Sequence, residues 1–270
     1  MKEKLEKLKD ILKKMDSVLI AYSGGVDSTF LLKVAKDTLG EKVIAVTALS
    51  PTYPKEEFEQ AEKMAKEMGV KHIVIETHEL ENPNFVNNPP RRCYYCKKEL
   101  FSKLKKLANQ NGIRWVADGS NFDDTKDFRP GMEASKELDI RSPLKEAELT
   151  KLDIRQLSKQ MGLPTWNKPS FACLSSRFPY GTKINREDLA RVEEAERFLK
   201  KLGLSQVRVR HHTNIARIEV PGEEIAKLVE DSYRVKIVKK FKNLGYTYIT
   251  VDLEGYRSGS MNEVLQEKFF

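Results

Sequence analysis

Tyr22-Ser23-Gly24-Gly25-Val26-Asp27-Ser28 is the stretch that decides the fold of this chain. It follows the apolar run Val18–Tyr22, which predicts a strand, and it leads into a helical pattern at Ser28–Asp37. Two glycines permit a tight turn, and the backbone N–H groups of such a turn and of a helix N-terminus suit an anion. The structural alternative is a glycine turn with a helix cap at Asp27 or Ser28.

The side chains of the same loop indicate which part of a nucleotide it holds. Ser23 and Ser28 offer hydroxyl donors, and Asp27 suits phosphates if a Mg²⁺ ion bridges them. The Gly-x4-Gly-Lys-Ser/Thr pattern of kinases is missing, so no lysine of the loop reaches a γ-phosphate. Ser23, Gly24, Gly25, Asp27 and Ser28 are therefore predicted to hold the pyrophosphate of ATP while its α-phosphate is attacked.

Strands and helices alternate outward from this loop. Further strands are predicted at Val43–Leu49, His72–Glu76 and Trp115–Asp118, with helices at Lys55–Met68, Tyr95–Gln110 and Thr150–Met161. Helices of this length between strands imply right-handed crossovers, so the prediction is an α/β fold with a doubly wound parallel sheet.

The alternation of strands and helices ends at the proline-containing stretch Leu163–Thr182. A helix at Arg186–Leu202, a hairpin turned at Thr213-Asn214, a helix at Glu223–Phe241 and a strand at Tyr246–Leu253 are predicted beyond it. We expect residues 1–168 to form an ATP-binding domain and residues 169–270 a smaller C-terminal α+β domain.

Composition narrows the class of protein. The 270 residues are 40% hydrophobic and 33% charged, without an 18-residue apolar run or a signal-peptide pattern, so we expect a soluble cytoplasmic protein with no membrane partner. The net charge of +8 favours an anionic partner, either a nucleotide or a nucleic acid. Because the lysines are interleaved with glutamates, a solvated Lys/Glu-rich surface is the simpler interpretation.

The chain has three cysteines, Cys93, Cys96 and Cys173, an odd number that argues against a disulfide framework. The three-residue spacing of Cys93 and Cys96 can place both thiols on one face of a helix. Zinc normally takes four ligands, and no histidine has ligand spacing to these cysteines. Three thiolates suit a [4Fe-4S] cluster with one open iron, while a zinc site or free thiols remain as alternatives.

A basic strand lies in the second domain. Arg208 and Arg210 alternate with valines, so both side chains point to one face, and Glu196 and Arg257 are other charged candidates nearby. Paired arginines can hold a phosphate, but a structural salt-bridge network explains them equally well.

The glycine loop resembles that of the PP-loop ATP-pyrophosphatase superfamily. The resemblance implies a doubly wound sheet, adenylation of a substrate oxygen, and adenine bound near Ala21 and Thr47. Asp118 and Gly119 end the fourth strand at the same carboxyl edge, where open α/β sheets bind ligands.

Later motifs resemble one family more closely, the LarE family of pyridinium-3,5-bisthiocarboxylic acid mononucleotide synthases. They are Ser175–Gly181, Val207–Arg210, Ile215–Glu219, Arg257–Asn262, Asp127–Gly131 and Trp166–Lys168. The resemblance runs from about Val18 to the C-terminus. It implies adenylation of a carboxylate and replacement of its oxygen by sulfur, in the biosynthesis of the nickel-pincer nucleotide cofactor.

The resemblance also implies roles for single residues. One subclass of the family sacrifices a cysteine at the position of Ala172, and the other carries three cysteines and a [4Fe-4S] cluster, as this chain would with Cys93, Cys96 and Cys173. Sulfide on the open iron would then attack the activated carbonyl.

Arg177 and Ser176 would steady the phosphates or the acyl-adenylate, and Glu196, Arg208, Arg210 and Arg257 would hold the phosphate of the substrate or form a subunit contact. The expected partners are the pyridinium mononucleotide, a sulfide donor, and copies of the chain in a hexamer built from trimers. A tRNA thiolase and a non-catalytic nucleotide-binding zinc protein are the alternatives, although no RNA-binding module is present.

Overall fold

The structure, a computed structural model, describes residues 1–126, 130–169 and 172–266. Asp127, Phe128 and Arg129 of the Asp127–Gly131 motif lie outside the described residues. The chain forms two compact units. Unit 1 comprises Met1–Phe85 and Pro90–Phe171, and unit 2 comprises Val86–Pro89 and Ala172–Phe270.

The first part of the chain alternates helices and strands as predicted. Its elements are α1 (Lys2–Met15), β1 (Val18–Ala21), α2 (Val26–Leu39), β2 (Val43–Leu49), α3 (Lys55–Glu67), β3 (Lys71–Glu76), α4 (Pro83–Val86), α5 (Arg92–Gln110), β4 (Trp115–Ala117), α6 (Gly131–Glu137), α7 (Pro143–Glu146) and α8 (Lys151–Gln160).

The four strands of unit 1 form one parallel sheet in the order β3-β2-β1-β4. Successive residues of β1 serve opposite faces of this sheet, because side chains alternate along a strand. Val18 and Ile20 pack in a core with α2 and α8, whereas Leu19 packs in a second core with α5. Helices therefore cover both faces, which confirms the predicted doubly wound α/β fold.

Unit 2 has a smaller mixed sheet. Its elements are α9 (Arg186–Lys201), β5 (Arg208–His212), β6 (Ile215–Glu219), α10 (Ile225–Val229), α11 (Asp231–Asn243), β7 (Tyr248–Val251) and α12 (Glu263–Gln266). β5 and β6 form the antiparallel hairpin predicted around Thr213-Asn214, and β7 pairs in parallel with β6. Val209, Ile218 and Phe241 belong to the core of this unit.

The helix predicted at Glu223–Phe241 is wrong as a single element. Glu230 has an extended backbone with ψ of 139°, which separates α10 from α11. The carbonyl of Glu230 accepts from the N–H groups of Tyr233 and Arg234, so this residue starts the second helix. None of the helices in the described ranges is both long and apolar enough to cross a bilayer.

Candidate active site

The glycine loop of residues 22–25 lies where the winding of the parallel sheet reverses. From β1 the chain runs to β2 and β3 on one side, and it later adds β4 on the other side of β1. The loops after β1 and β4 therefore flank a crevice at the carboxyl edge, the usual ligand site of open α/β sheets. Both predicted nucleotide-binding segments, 23–28 and 118–121, lie at this crevice.

The N-terminus of α2 begins directly in this loop. Gly25 precedes the first helical residue, and no side chain of the described chain caps the helix. The predicted alternative of a helix cap at Asp27 or Ser28 is therefore wrong. Gly24 has φ of +61°, the left-handed region that glycine adopts without strain. The first N–H groups of a helix have no partner within it, so those of α2 can donate to an anion.

Ser23 and Ser28 close the loop across its base. The two hydroxyl oxygens lie 3.1 Å apart, and the backbone N–H of Ser23 donates to Oγ of Ser28 at 3.3 Å. Ser28 is buried, and its hydroxyl also donates to the carbonyl of Gly25 at 3.3 Å. The two serines therefore hold the loop in shape, and their predicted contact with phosphate remains a prediction.

Asp27 lies in the first turn of α2, facing residues from two later parts of the chain. Lys151, the first residue of α8, forms an ion pair with Oδ2 of Asp27. The side-chain amide of Asn121 donates to Oδ1 of Asp27 at 3.4 Å. Lys151 lies in the first turn of α8, where the helix dipole disfavours a cation. We therefore attribute its position to the carboxylate of Asp27 that it contacts.

Sequence reasoning missed Lys151, and it placed Asn121 in the predicted segment 118–121 without its contact to Asp27. A single lysine in a chain with 48 lysines and arginines forms no pattern, and both side chains come close to Asp27 only through the fold. The Thr150–Asp153 capping box at the start of α8 is the one local signal, because it fixes where that helix begins.

Asp118 and Gly119 shape the other wall of the crevice. The carboxylate of Asp118 accepts from Oγ of Ser120 at 2.9 Å and from Oγ of Ser142 at 2.8 Å. A Cβ at Gly119 would lie 3.1 Å from the backbone nitrogen of Ser28. Asp118 thus fixes the course of its own loop, and Gly119 leaves the N-terminus of α2 uncovered.

Ala21 is the last residue of β1, and Thr47 lies near the end of the neighbouring strand β2. Ala21 pairs with Val46, and the hydroxyl of Thr47 donates to the carbonyl of Tyr22 at 2.8 Å. Nε2 of His72 lies 2.8 Å from the same hydroxyl, and burial lowers the pKa of His72. The side chain of Thr47 therefore supports the loop, while the contact of both residues with adenine stays a prediction.

All three cysteines are present as thiols. α5 begins at Arg92, ahead of the predicted Tyr95, so Cys93 and Cys96 lie on one helix at the spacing that shares a face. Cys173 precedes the short 3-10 turn Leu174–Arg177 in unit 2. Within the described ranges, no three His, Cys, Asp or Glu side chains lie close enough to hold a metal ion. Soft thiolates are the donors that iron–sulfur clusters use, so the residue types fit the predicted cluster.

Arg177 is a buried arginine of unit 2 with every nitrogen engaged. Its guanidinium makes a bidentate pair with Glu196 at 2.8 and 2.9 Å. Nη1 donates to the carbonyls of Ala172 and Cys173 and to Oγ of Ser176. Burial alone would lower the pKa of Arg177 and raise that of Glu196, but the charge of each partner reverses both shifts. Arg177 thus anchors the backbone that carries Cys173.

Arg208 and Arg210 lie on β5 beside this pair. The guanidinium of Arg208 lies over the ring of Tyr256. Burial and the charge of Arg177 lower the pKa of Arg208. Arg210 makes a bidentate pair with Glu219 and donates to the carbonyl of Ser176 at 3.0 Å.

Ser176, Arg177, Glu196, Arg208 and Arg210 therefore form one cluster within unit 2, which we call the arginine cluster. Arg257 follows Tyr256, whose ring contacts Arg208, and it pairs with Glu254 at 2.9 Å and with Glu263 at 3.2 Å.

Known proteins resemble the chain at two levels, and the first concerns its N-terminal part. Residues 17–88 match the N-terminal HUP domain of argininosuccinate synthase. The argininosuccinate synthase of Pyrococcus furiosus is 30% identical over 56% of this chain and 40% of its own length. With the parallel sheet and the glycine loop, this match defines a PP-loop protein of the ATP-pyrophosphatase class.

The second level concerns nearly the whole chain. An uncharacterised protein of Synechocystis is 49% identical over 98% of this chain and 99% of its own length. The pyridinium-3,5-bisthiocarboxylic acid mononucleotide synthase of Lactiplantibacillus plantarum is 42% identical over 94% of this chain and 92% of its own length. The chain belongs to the family of that synthase, the LarE family, and so to the ATP-dependent PP-loop enzymes.

Proposed function

We propose that this chain is an ATP-dependent sulfur transferase of nickel-pincer nucleotide cofactor biosynthesis. It adenylates the carboxylates of pyridinium-3,5-biscarboxylic acid mononucleotide and converts them to thiocarboxylates. One observation carries the proposal, the uncapped N-terminus of α2 at the reversal of the sheet, in a chain 42% identical to a synthase of the bisthiocarboxylic product.

The loop supports cleavage of ATP between its α- and β-phosphates. Departing pyrophosphate gathers negative charge, and N–H groups already aimed at it stabilise that charge without reorganisation. The substrate carboxylate attacks the α-phosphate, pyrophosphate leaves, and an acyl-adenylate remains. This activation is needed because an oxide ion leaves a carboxylate poorly, whereas AMP leaves an acyl-adenylate readily.

Asp27 is the residue that would hold Mg²⁺ at this loop. Its carboxylate oxygens are hard donors of the kind that Mg²⁺ prefers, and one of them accepts from the side-chain amide of Asn121. The ion would neutralise charge on the phosphates. Lys151, which contacts the same carboxylate, keeps a positive charge at the loop.

The arginine cluster is the proposed site for the phosphate of the substrate. Burial and the charge of Arg177 disfavour the cationic form of Arg208, and a bound phosphate would offset that cost. Oγ of Ser176 accepts from Arg177, which leaves its own proton to donate to the acyl-adenylate. We assign Arg210, Glu196 and Arg257 to the support of this site.

The thiols of Cys93, Cys96 and Cys173 are the proposed ligands of a [4Fe-4S] cluster. The cluster would supply the sulfide sulfur that displaces AMP from the activated carbonyl. Ala172 stands where the self-sacrificing subclass of the family has its cysteine, and it lacks the sulfur that such a mechanism requires. We propose the same hexamer, built from trimers, that the resemblance implies.

One anaerobic experiment tests the proposal. Protein purified without oxygen is assayed for iron, acid-labile sulfide and zinc, and then for pyrophosphate release with the pyridinium dicarboxylate mononucleotide or with tRNA. We expect iron and sulfide, release with the mononucleotide, and no release with tRNA. Zinc in place of iron would refute the cluster, and release with tRNA alone would identify a tRNA thiolase.

A further inference from the structure

Side chains from outside the glycine loop bind three consecutive carbonyl groups at its start. The hydroxyl of Thr47 donates to the carbonyl of Tyr22 at 2.8 Å, the hydroxyl of Tyr53 donates to that of Ser23 at 2.8 Å, and the ammonium group of Lys168 donates to that of Gly24 at 3.3 Å. We call these three donors, Thr47, Tyr53 and Lys168, the carbonyl brace.

The next carbonyl, that of Gly25, is engaged by α2 itself. It accepts from the backbone N–H of Thr29 at 3.0 Å and from the hydroxyl of Ser28 at 3.3 Å. Every carbonyl from residue 22 to residue 25 therefore has a donor within unit 1. A loop that binds an anion must turn its carbonyl oxygens away from that anion, and here each oxygen is held elsewhere.

The geometry of the peptide bond converts these contacts into an orientation of N–H groups. All described peptide bonds are trans, and in a trans peptide the C=O and the following N–H point in opposite directions. Tyr53 binds the C=O of the Ser23–Gly24 peptide, which fixes the N–H of Gly24. Lys168 binds the C=O of the Gly24–Gly25 peptide, which fixes the N–H of Gly25.

Glycine makes such bracing necessary. Gly24 has no Cβ and lies in the left-handed region, so the peptides beside it can rotate at little cost. A rotated Gly24–Gly25 peptide would direct its carbonyl oxygen towards the anion in place of the N–H, exchanging an attraction for a repulsion. The brace selects the productive orientation before any ligand binds.

Lys168 and Tyr53 are themselves held in place. The ammonium group of Lys168 lies 2.6 Å from Glu57 and 3.1 Å from Gln60, both on α3, and the side chains of Lys168 and Glu57 are only 15% and 13% exposed. Burial, and then the nearby charge of Glu57, raise the pKa of Tyr53, so its hydroxyl stays protonated and able to donate.

We infer that Tyr53 and Lys168 are positioning residues, which direct the N–H groups of Gly24 and Gly25 towards the pyrophosphate of ATP. The inference rests on the proposed function, since it takes the occupant of the loop to be pyrophosphate. It goes beyond that function by giving Tyr53 and Lys168 a role in the reaction although neither belongs to the loop.

Calorimetric titration of the whole protein with magnesium pyrophosphate tests the inference. Lys168→Met removes one donor, Tyr53→Phe removes the other while keeping the ring, and Lys168→Arg keeps a cation that can donate. Lys63→Met is the matched control, because Lys63 lines the same cavity of about 460 Å³ beside Gly24 but forms its ion pair with Glu67 on its own helix.

We expect Tyr53→Phe and Lys168→Met each to weaken pyrophosphate binding about tenfold, somewhat less than the loss of a whole oxyanion-type donor. Lys168→Arg should recover most of the affinity, and Lys63→Met should bind as the unchanged protein does. Thermal melting identifies any variant that fails to fold, in which case the isosteric Tyr53→Phe decides.

A second readout does not depend on the ligand. The chain has 14 glycines, few enough for selective ¹⁵N-glycine labelling to resolve the amides of Gly24 and Gly25. We expect these two resonances to shift or broaden in both variants while most other glycines stay in place. If the unchanged protein does not bind pyrophosphate, the proposed function fails. If it does bind but neither the affinity nor these resonances change in the variants, the positioning role fails.

Discussion

Asp27 brings a carboxylate into the crevice beside the glycine loop and holds it against Lys151. We predict that Asp27→Asn lowers Mg²⁺-dependent pyrophosphate release by at least about 100-fold, since the proposed metal ligand, which is also the partner of Lys151, loses its charge. Initial rates measured over a series of Mg²⁺ concentrations check this. Asp37→Asn is the control, because Asp37 lies at the far end of the same helix in an ion pair with Lys33. A rate within twofold of normal for Asp27→Asn would contradict the assignment.

Glu196 supplies the negative charge that pairs with Arg177 within the arginine cluster. It pairs with buried Arg177 and accepts from the backbone N–H of Val209 at 2.9 Å. Breaking a buried pair from one side leaves an uncompensated charge, so we predict that Glu196→Gln lowers the free energy of unfolding by about 3 kcal/mol. Urea denaturation at neutral pH measures the loss, with exposed Glu187→Gln on the same helix as the control. An equal loss in both variants would show that the pair contributes nothing specific.

The same carboxyl predicts a pH dependence. Burial alone would raise the pKa of Glu196, but Arg177 lowers it below its usual value of 4.5. A carboxyl whose pKa is lower in the folded state stabilises the protein fully above its unfolded pKa, and the benefit is lost as pH falls through the folded value. We therefore expect stability to decline below about pH 4.5, and the decline to be shallower in Glu196→Gln. Urea midpoints measured from pH 6 downward give this comparison.

At the scale of elements, the path from β1 into α2 depends on the absence of a side chain at Gly24. A Cβ there would lie 2.7 Å from Cβ of Ala61 on α3, at a backbone φ of +61°. We predict that Gly24→Ala costs about 1–2 kcal/mol of stability from backbone strain alone and weakens pyrophosphate binding further by displacing the loop from α3. Melting curves and calorimetry measure both effects. Gly222→Ala is the control, since nothing lies within 4 Å of a Cβ built there.

The sequence predicted elements where a pattern was long enough to have a period. Four strands of the parallel sheet, the loop and the hairpin at Thr213-Asn214 followed from apolar runs and turn residues. The helices α6 and α7 were missed because seven and four residues are too short for a helical period to stand out. The break at Glu230 was missed because the apolar pattern continues across it, and only the backbone of that residue reveals the new start.

The candidate site was predictable only in its local part. The residues of the loop were predictable because two glycines lie between a predicted strand and a predicted helix. Tyr53 and Lys168 contact that loop, and Lys151 contacts Asp27 just after it, from 30 to 144 positions away. Trp166–Lys168 was noted as a family motif, but no local pattern indicated that any of these side chains reaches the loop. Such contacts arise from the order of the strands and the packing of α3 and α8, which periodicity does not encode.

At the scale of the whole molecule, the segment Val86–Pro89 belongs to unit 2 although unit 1 surrounds it in sequence. Asn88 is fully buried, has φ of +51°, and donates through its side chain to the carbonyls of Phe178 and Pro179. Its own carbonyl accepts from the N–H of Gly181 at 3.0 Å. Unit 2 therefore includes a piece that a fragment starting at Ala172 would not contain.

We predict that Asn88→Gly, which tolerates the left-handed backbone but removes the side-chain donor, destabilises unit 2 by about 1–3 kcal/mol, because a buried and a half-buried carbonyl lose this donor. Hydrogen exchange of amides in β5 and β6 reports on this unit directly. Exposed Asn87→Gly changes the neighbouring residue in the same way and should leave exchange unaltered. Faster exchange confined to β1 and β2 would contradict the assignment of this segment to unit 2.

The placement of Val86–Pro89 has a consequence for how the chain is made. These residues leave the ribosome well before their partners around Phe178 and Gly181 are synthesised. They therefore lack those partners while the parts of unit 1 before and after them in the sequence are made. Unit 2 can close only after the residues from Ala172 onward have been synthesised. Joining residues 172–270 alone to unit 1 would therefore not supply the whole of unit 2, because Val86–Pro89 lies within the sequence of unit 1.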